Sequence, residues 1–310
     1  MRCEFAKLNG AGNDFVMIGD MGDKLFLTPG QVARICDRHF GVGADGVIVV
    51  KPSPRSECAA YMDYYNADGT KAQMCGNGVR CFAKFLVDRS YVSASAGSFV
   101  ADTLAGPKPI SFTLGADGTL SAACVDMGAP VLAPDALPTT LPASPIPEGF
   151  AGLADGTAVV EQGVCGLEEA VPDSLRERAA ALEFTCVSMG NPHAVAFLDD
   201  ASELDDALVG QVGSAVENAA VFPEKVNVEF AHVQGDGIEM RVWERGCGET
   251  LACGTGCCAT AVAAHLTGRT GRQVHVHVLG GTIDVDWRDD GHVHMTGPAA
   301  ESFSGVLDID

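Results

Sequence analysis

The stretch "MCGNGVRCFAKFL" at residues 74–86 places a cysteine directly before a Gly-x-Gly turn and then becomes apolar with a helical rhythm. Val79, Phe82, Ala83 and Leu86 fall on one face of the helix this spacing predicts. Far downstream, "ACGTGCCATAVAA" at residues 252–264 repeats the arrangement. The second copy is small and apolar all round, which suits a helix enclosed by other structure.

Landmarks on either side repeat at the same interval. Cys75 and Cys253 are 178 positions apart, and so are Gly12-Asn13 in "LNGAGNDF" and Gly190-Asn191 in "SMGNPHAV". Asn66 in "YYNADG" lies 178 before Glu244 in "VWERGCG". Three landmarks at one offset predict duplicated halves, each supplying a strand, a polar turn and a cysteine-capped helix.

Between the landmarks, "VNVEFAHV" (226–233), "IEMRVWE" (238–244), "QVHVHVL" (273–279) and "TIDVDW" (282–287) show the period of two expected of strands. "TPGQVARICDRHF" (28–40) reads as a helix with Thr28 as N-cap and Pro29 behind it, and "LRERAAALEF" has modest helical character. Residues 128–150 are proline-rich, excluded from a regular helix or central strand, and read as an exposed connection. The expected class is α+β, with an N-terminal lobe over 1–125 and a C-terminal lobe over 126–295.

Bulk composition narrows the function. The chain carries 41 Asp and Glu against 20 Lys and Arg, a net charge of −21. Such a balance argues against a nucleic-acid partner or an anionic membrane surface. No apolar run reaches the length of about 18 residues that a membrane span requires. "MRCEFAKLNGAGNDF" lacks the apolar core of a signal peptide, so a cytoplasmic location is expected and most of the 12 cysteines should be free thiols.

A cysteine at a helix mouth faces unpaired backbone N–H groups and the positive end of the macrodipole, which pull its pKa down. The glycines allow a substrate carboxylate close to the backbone. Two such thiols on pseudosymmetric halves suggest an acid and a base on opposite faces of one carbon. One thiolate removes a Cα proton, the other thiol delivers one, and the helix N-termini stabilise the enediolate between them. No pyridoxal-binding lysine pattern is evident.

"NGAGNDF", "NADGTKAQMCGNGVR", "GNPHAV", "VNVEF" and "ERGCGETLACGTGCCA", running in order from residue 7 to about 262, together resemble the diaminopimelate epimerase family. The resemblance implies cofactor-independent interconversion of LL- and meso-2,6-diaminopimelate, in lysine and peptidoglycan precursor synthesis. It implies two pseudosymmetric lobes, each a curved mixed sheet around a central helix, with the active site in the cleft between them. Residues 296–310 are expected to return to the first lobe, and the enzyme is expected to be a homodimer.

Residue by residue, Cys75 and Cys253 match the catalytic thiols, with Cys253 the proton acceptor and Cys75 the donor from LL to meso. Gly76, Asn77, Gly254 and Thr255 match segments that hold the reacting carboxylate and amine. Asn13, Asn66, Asn191, Asn227, Glu244 and Arg245 match substrate-binding positions, with Arg245 supplying a planar fork for the distal carboxylate. His193 and Glu244 match neighbours that tune the thiols. The family often has glutamine where this chain has Gly46, so that contact is expected to be lost or replaced by water. The stretch 128–180 is longer than the family leads one to expect.

Plainer readings compete. A buried cysteine is often only a small core residue, which is the reading adopted for Cys81, Cys257 and Cys258. Cys247, Cys253, Cys257 and Cys258 lack the usual zinc-site spacing, so no metal is expected. Histidines of "VHVHV" and "GHVHM" read as exposed strand residues. The rival functions are a proline racemase-like enzyme, which needs no distal clamp at Arg245, and a non-catalytic amino-acid binding protein, against which the two cysteines count.

Overall fold

The computed structural model describes residues 2–72, 74–146 and 156–309; Gln73 of the opening motif region and residues 147–150 of the proline-rich stretch lie outside them. Contacts divide the chain into two units, Met1–Asp126 with Thr296–Asp310, and Met127–Met295.

The first unit is a mixed sheet around one helix. Its strands are β1 (Arg2–Gly10), β2 (Asn13–Gly19), β3 (Gly46–Lys51), β4 (Ala60–Asn66), β5 (Ser98–Asp102), β6 (Lys108–Leu114) and β7 (Leu120–Asp126). The C-terminal strand Ala300–Asp308 pairs antiparallel with β1. Along the sheet from β1, successive pairs are antiparallel, parallel, antiparallel, parallel, antiparallel and antiparallel. Helix α2 (Gly76–Asp88) packs against β1, β2, β3 and β7, and every residue from Gly76 to Val87 is buried.

The second unit repeats the plan. Its main strands are Glu183–Ser188, Pro192–Leu198, Asn227–Gln234, Gly237–Glu244, Gln273–Val278 and Gly281–Trp287. They pair in sequence as antiparallel, parallel, antiparallel, parallel and antiparallel. The unit carries the short helices α3 (Arg176–Ala181) and α4 (Gly213–Glu217), and α5 (Gly254–Leu266), which is buried everywhere except at Thr255 and His265. Offset by 178, α5 matches α2 end for end, and even the stops correspond. Ser90 (φ 61°) and Gly268 (φ 73°) both turn left-handed, and Tyr91 and Arg269 donate back to the Leu86 and Ala264 carbonyls at 2.8 Å. This is the closure that satisfies the last carbonyls of a helix.

Two expectations change. Helix α1 (Pro29–Cys36) has the expected Thr28 cap, completed by a reciprocal Gln31 box, but ends before residue 40. Asp37 becomes extended and its carboxylate accepts from the His39 and Phe40 N–H groups, which turns the chain away. The proline-rich stretch is more than an exposed connection. Leu132, Leu137 and Leu141 are buried, the latter two in the core with Phe184 and Phe230, and Val131 bridges to Ser188. Prolines keep the stretch out of long helices and central strands without preventing Leu132, Leu137 and Leu141 from packing inward.

That packing predicts a stability effect. Leu132→Ala should destabilise the protein by about 2–5 kcal/mol, as large-to-small core changes do. Urea unfolding measures it, and a loss below about 0.5 kcal/mol, the range of surface changes, would contradict a core role for this stretch.

Candidate active site

The first cysteine of the opening motif and that of its downstream copy are each the N-cap of a helix. Cys75 caps α2 with φ −137° and ψ 122°, and Cys253 caps α5 with φ −116° and ψ 111°. The glycine three residues on makes room for each. A Cβ at Gly78 would lie 3.1 Å from Met62 and 3.4 Å from Cys75 Cβ, and one at Gly256 would lie 2.7 Å from Glu229 Oε1 and 3.3 Å from Cys253 Sγ. At Gly256 the glycine is therefore a packing requirement, and at Gly78 it spares Met62 and Ile48 a close contact.

Around Cys75 the partners are amides. Its thiol donates to Asn13 Oδ1 at 3.5 Å, and Asn77 Nδ2 donates to the same oxygen at 3.4 Å. Asn13 Nδ2 in turn donates to Asp45 at 2.6 Å. Because a carboxylate only accepts, Asp45 fixes which end of the Asn13 amide faces the thiol. Asp45 is itself held by Arg38, which forks onto Asp14. Desolvation would raise Asp14, but hydrogen bonds from Arg38 and Lys7 outweigh it and hold the carboxyl at about 2. Asn77 also accepts from the fully buried Arg80 at 2.8 Å. Asn66 is not drawn into this cluster: its amide donates to Thr70 in the turn after β4.

Gly46 pairs with Asn66 in the β3–β4 ladder, and a Cβ there would meet the Tyr65 carbonyl at 2.6 Å and the Tyr64 ring at 2.8 Å. The Tyr65 carbonyl and the Tyr64 ring thus leave no space for a side chain at this position.

Around Cys253 the partners are ionisable. The sulfur accepts from the Gly256 N–H at 3.4 Å and lies 3.4 Å from the Thr255 hydroxyl. Glu244 accepts from Thr250 at 2.5 Å and interacts with both Cys253 and His193. His193 is fully buried, with Nδ1 2.6 Å from Glu229 Oε1 and Nε2 3.1 Å from Asn191 Oδ1. Asn227 is buried and pins two segments together, donating to the Pro192 carbonyl at 2.8 Å and accepting the Arg245 N–H at 3.0 Å. Arg245 is exposed, donates to the Glu224 carbonyl at 3.1 Å, and makes no ion pair among the described residues.

The electrostatics reverse one expectation. Burial pushes the Cys253 thiol well above its ordinary value of 9.0, and the Glu244 and Glu229 carboxylates push the same way. Desolvation and like charge outweigh the helix N-terminus here. Burial likewise raises Glu244, with Glu229 adding to it. Glu229 itself was missed as a site residue. Its signal was a carboxylate between Val228 and Phe230 in a strand buried on both faces.

Solved structures share this architecture. The Bacillus anthracis phenazine biosynthesis protein of the PhzF family aligns over 100% of both chains at TM-score 0.65 and 15% identity. A hydroxyproline epimerase from Agrobacterium vitis aligns over 99% of this chain and 91% of its own at TM-score 0.66 and 13% identity. The fold is the two-lobed α+β fold of these structures. The sequence pattern of the family described as diaminopimelate epimerase matches residues 5–133 and 185–301. Along their entire lengths, the chain is 40% identical to the diaminopimelate epimerase of Leptospira biflexa and 41% identical to that of Synechocystis. The chain belongs to the diaminopimelate epimerase family, whose members are amino-acid epimerases. The family pattern passes over 134–184, yet these relatives align across it, so the long middle stretch is shared with them.

Since Glu244 raises Cys253, Glu244→Gln should lower the pH at which this thiol ionises. Thiolate ultraviolet absorbance, taken as the difference between each protein and its Cys253→Ala counterpart, reads that midpoint. An unchanged midpoint would remove Glu244 from the control of Cys253.

Proposed function

We propose that the protein interconverts LL- and meso-2,6-diaminopimelate by a two-thiol acid–base mechanism without an organic cofactor. The observation that carries the reading is the pair of cysteine N-caps on equivalent buried helices, in a chain of this family. The proposed substrate's reacting carboxylate binds at the helix N-termini, near Gly76, Asn77, Gly254 and Thr255. From LL substrate, Cys253 as thiolate takes the Cα proton and becomes a thiol. The electron pair left on Cα spreads into the carboxylate as an enediolate, and the N–H groups there hold the added charge. Cys75 then gives its proton to the opposite face of Cα and becomes the thiolate, and the reverse reaction retraces these steps.

The raised pKa of Cys253 favours its thiol form, the proton donor of the meso-to-LL direction. To accept a proton, Cys253 needs its surrounding negative charge offset, and the ammonium on the reacting carbon supplies that offset on binding. His193 and Glu244 act on this balance. At the distal end the exposed Arg245 fork takes the second carboxylate, and Asn13, Asn66, Asn191 and Asn227 contribute the polar groups that fix the rest of the substrate. A proline racemase-like substrate has no second carboxylate for Arg245. We assign the enzyme to the cytoplasm as a homodimer, the latter testable by light scattering.

Purified, reduced protein should turn over LL-diaminopimelate without added pyridoxal phosphate or metal, and inactivity under those conditions would refute the reading. Arg245→Lys keeps the charge but loses the fork, so kcat/KM should fall on the order of tenfold, the worth of about one charge-assisted hydrogen bond. A variant with parental kcat/KM would show that Arg245 is not the clamp.

A further inference from the structure

His193 and Glu229 occupy places that the fold does not require to be polar. In the parallel ladder of the second unit His193 pairs with Asn227, and in the first unit Phe15 pairs with Gly46. Glu229 lies two residues beyond Asn227, as Ile48 lies two beyond Gly46. Phenylalanine and isoleucine, both fully buried, thus fill in one unit the places that an acid and a base fill in the other. Replacing a buried ion pair by apolar side chains is often neutral or stabilising, so stability alone does not account for this pair.

Hydrogen-bond accounting fixes how many protons the pair carries. The Asn191 amide oxygen only accepts, so His193 Nε2, 3.1 Å away, must carry a proton. The 2.6 Å contact between Nδ1 and Glu229 Oε1 needs a second proton, held by one atom or the other. Two protons on a histidine and a glutamate leave no net charge, as imidazolium with carboxylate or as imidazole with carboxylic acid. Among the described residues Glu229 Oε2 has no hydrogen-bond partner, and the side chain is fully buried, a setting in which a bare carboxylate is costly.

The location matters for chemistry. Glu229 Oε1 and Cys253 Sγ lie 2.7 and 3.3 Å from one point, the place where a Cβ on Gly256 would stand. A bare carboxylate that close opposes ionisation of the thiol. The other titratable groups facing the pair are Glu244, on the neighbouring strand, and the buried Cys186.

We propose that Glu229 and His193 share one proton across this contact and that the net-neutral pair is a positioning element of the reaction, letting Cys253 gain and lose charge without a bare carboxylate beside it. While Cys253 is a thiolate, the shared proton sits on Glu229 Oε1; when Cys253 is a thiol, the proton moves to Nδ1. No proton leaves the pair, so the balance of the epimerisation is unchanged. The role rests on the epimerase reading, whereas the shared proton does not.

Nitrogen-15 NMR of the histidine-labelled protein tests the proton directly, with His193 assigned by its loss in His193→Gln. The expected spectrum has a proton bonded to Nε2 and a far-downfield proton in the Nδ1 contact; a bare Nε2 overturns the proposal whatever the activity. Kinetics test the role. His193→Gln strips Glu229 of its partner and should lower kcat by about tenfold or more, the scale of acid–base assistance. Adding Glu229→Gln removes the stranded carboxylate, so the double variant should recover at least about threefold over His193→Gln, a coupling expected of residues in contact. A double variant no better than His193→Gln would overturn the neutralising role. Failure of the parent to epimerise diaminopimelate would sink the substrate reading and leave the NMR result standing.

Discussion

A cysteine can stand at the mouth of a helix that is buried on nearly all sides where the third residue beyond it carries no Cβ to crowd its neighbours. Gly78 and Gly256 meet that constraint, and the rest of each unit is arranged around it. The N-cap position sets each cysteine beside the first backbone N–H groups of its helix, the end that favours negative charge. The apolar flank of α2, and the small, mostly apolar side chains of α5, let a sheet close around each helix and hold its mouth in place. Fold and candidate chemistry thus follow from the same short motif.

On this duplicated scaffold the two thiols have unlike surroundings. Cys75 meets a neutral amide whose orientation Asp45 dictates through a 2.6 Å hydrogen bond. Cys253 meets Glu244 and the His193–Glu229 pair. A reaction that inverts one carbon needs equivalent geometry on its two faces but opposite protonation states at the two thiols. In the proposed mechanism the unequal neighbours of the two cysteines separate their roles, as local environment does for chemically identical groups.

Most of the fold was legible because it is periodic or repeated. The 178-residue offset marked the equivalent helices, and alternating valines and isoleucines marked the strands. What stayed hidden was aperiodic or dependent on three-dimensional neighbours. Leu132, Leu137 and Leu141 pack inward from a stretch whose prolines advertise only irregularity. Asp37 ends α1 by a side-chain turn that a helical pattern does not reveal. The fate of Gly46 depended on Tyr64, a residue from the next strand. At the site, the cysteines, His193 and Glu244 stood out through their motifs, but Glu229 looked like one more residue of a strand. The sign of the Cys253 shift was also unreadable, since a helix N-terminus lowers a thiol and only the packed structure shows the carboxylates and burial that outweigh it.

The central claim is that two thiols serve opposite faces of one carbon, each holding a single exchangeable proton. The most direct measurement is deuterium uptake from LL-diaminopimelate in heavy water, followed early in the reaction by mass spectrometry of both epimers. The account predicts deuterium at the inverted centre of the meso product while the remaining LL substrate stays nearly unlabelled, because the accepting thiol can return only the proton it took. Rapid labelling of the unreacted LL epimer would contradict it, and would point to one base exchanging freely with solvent.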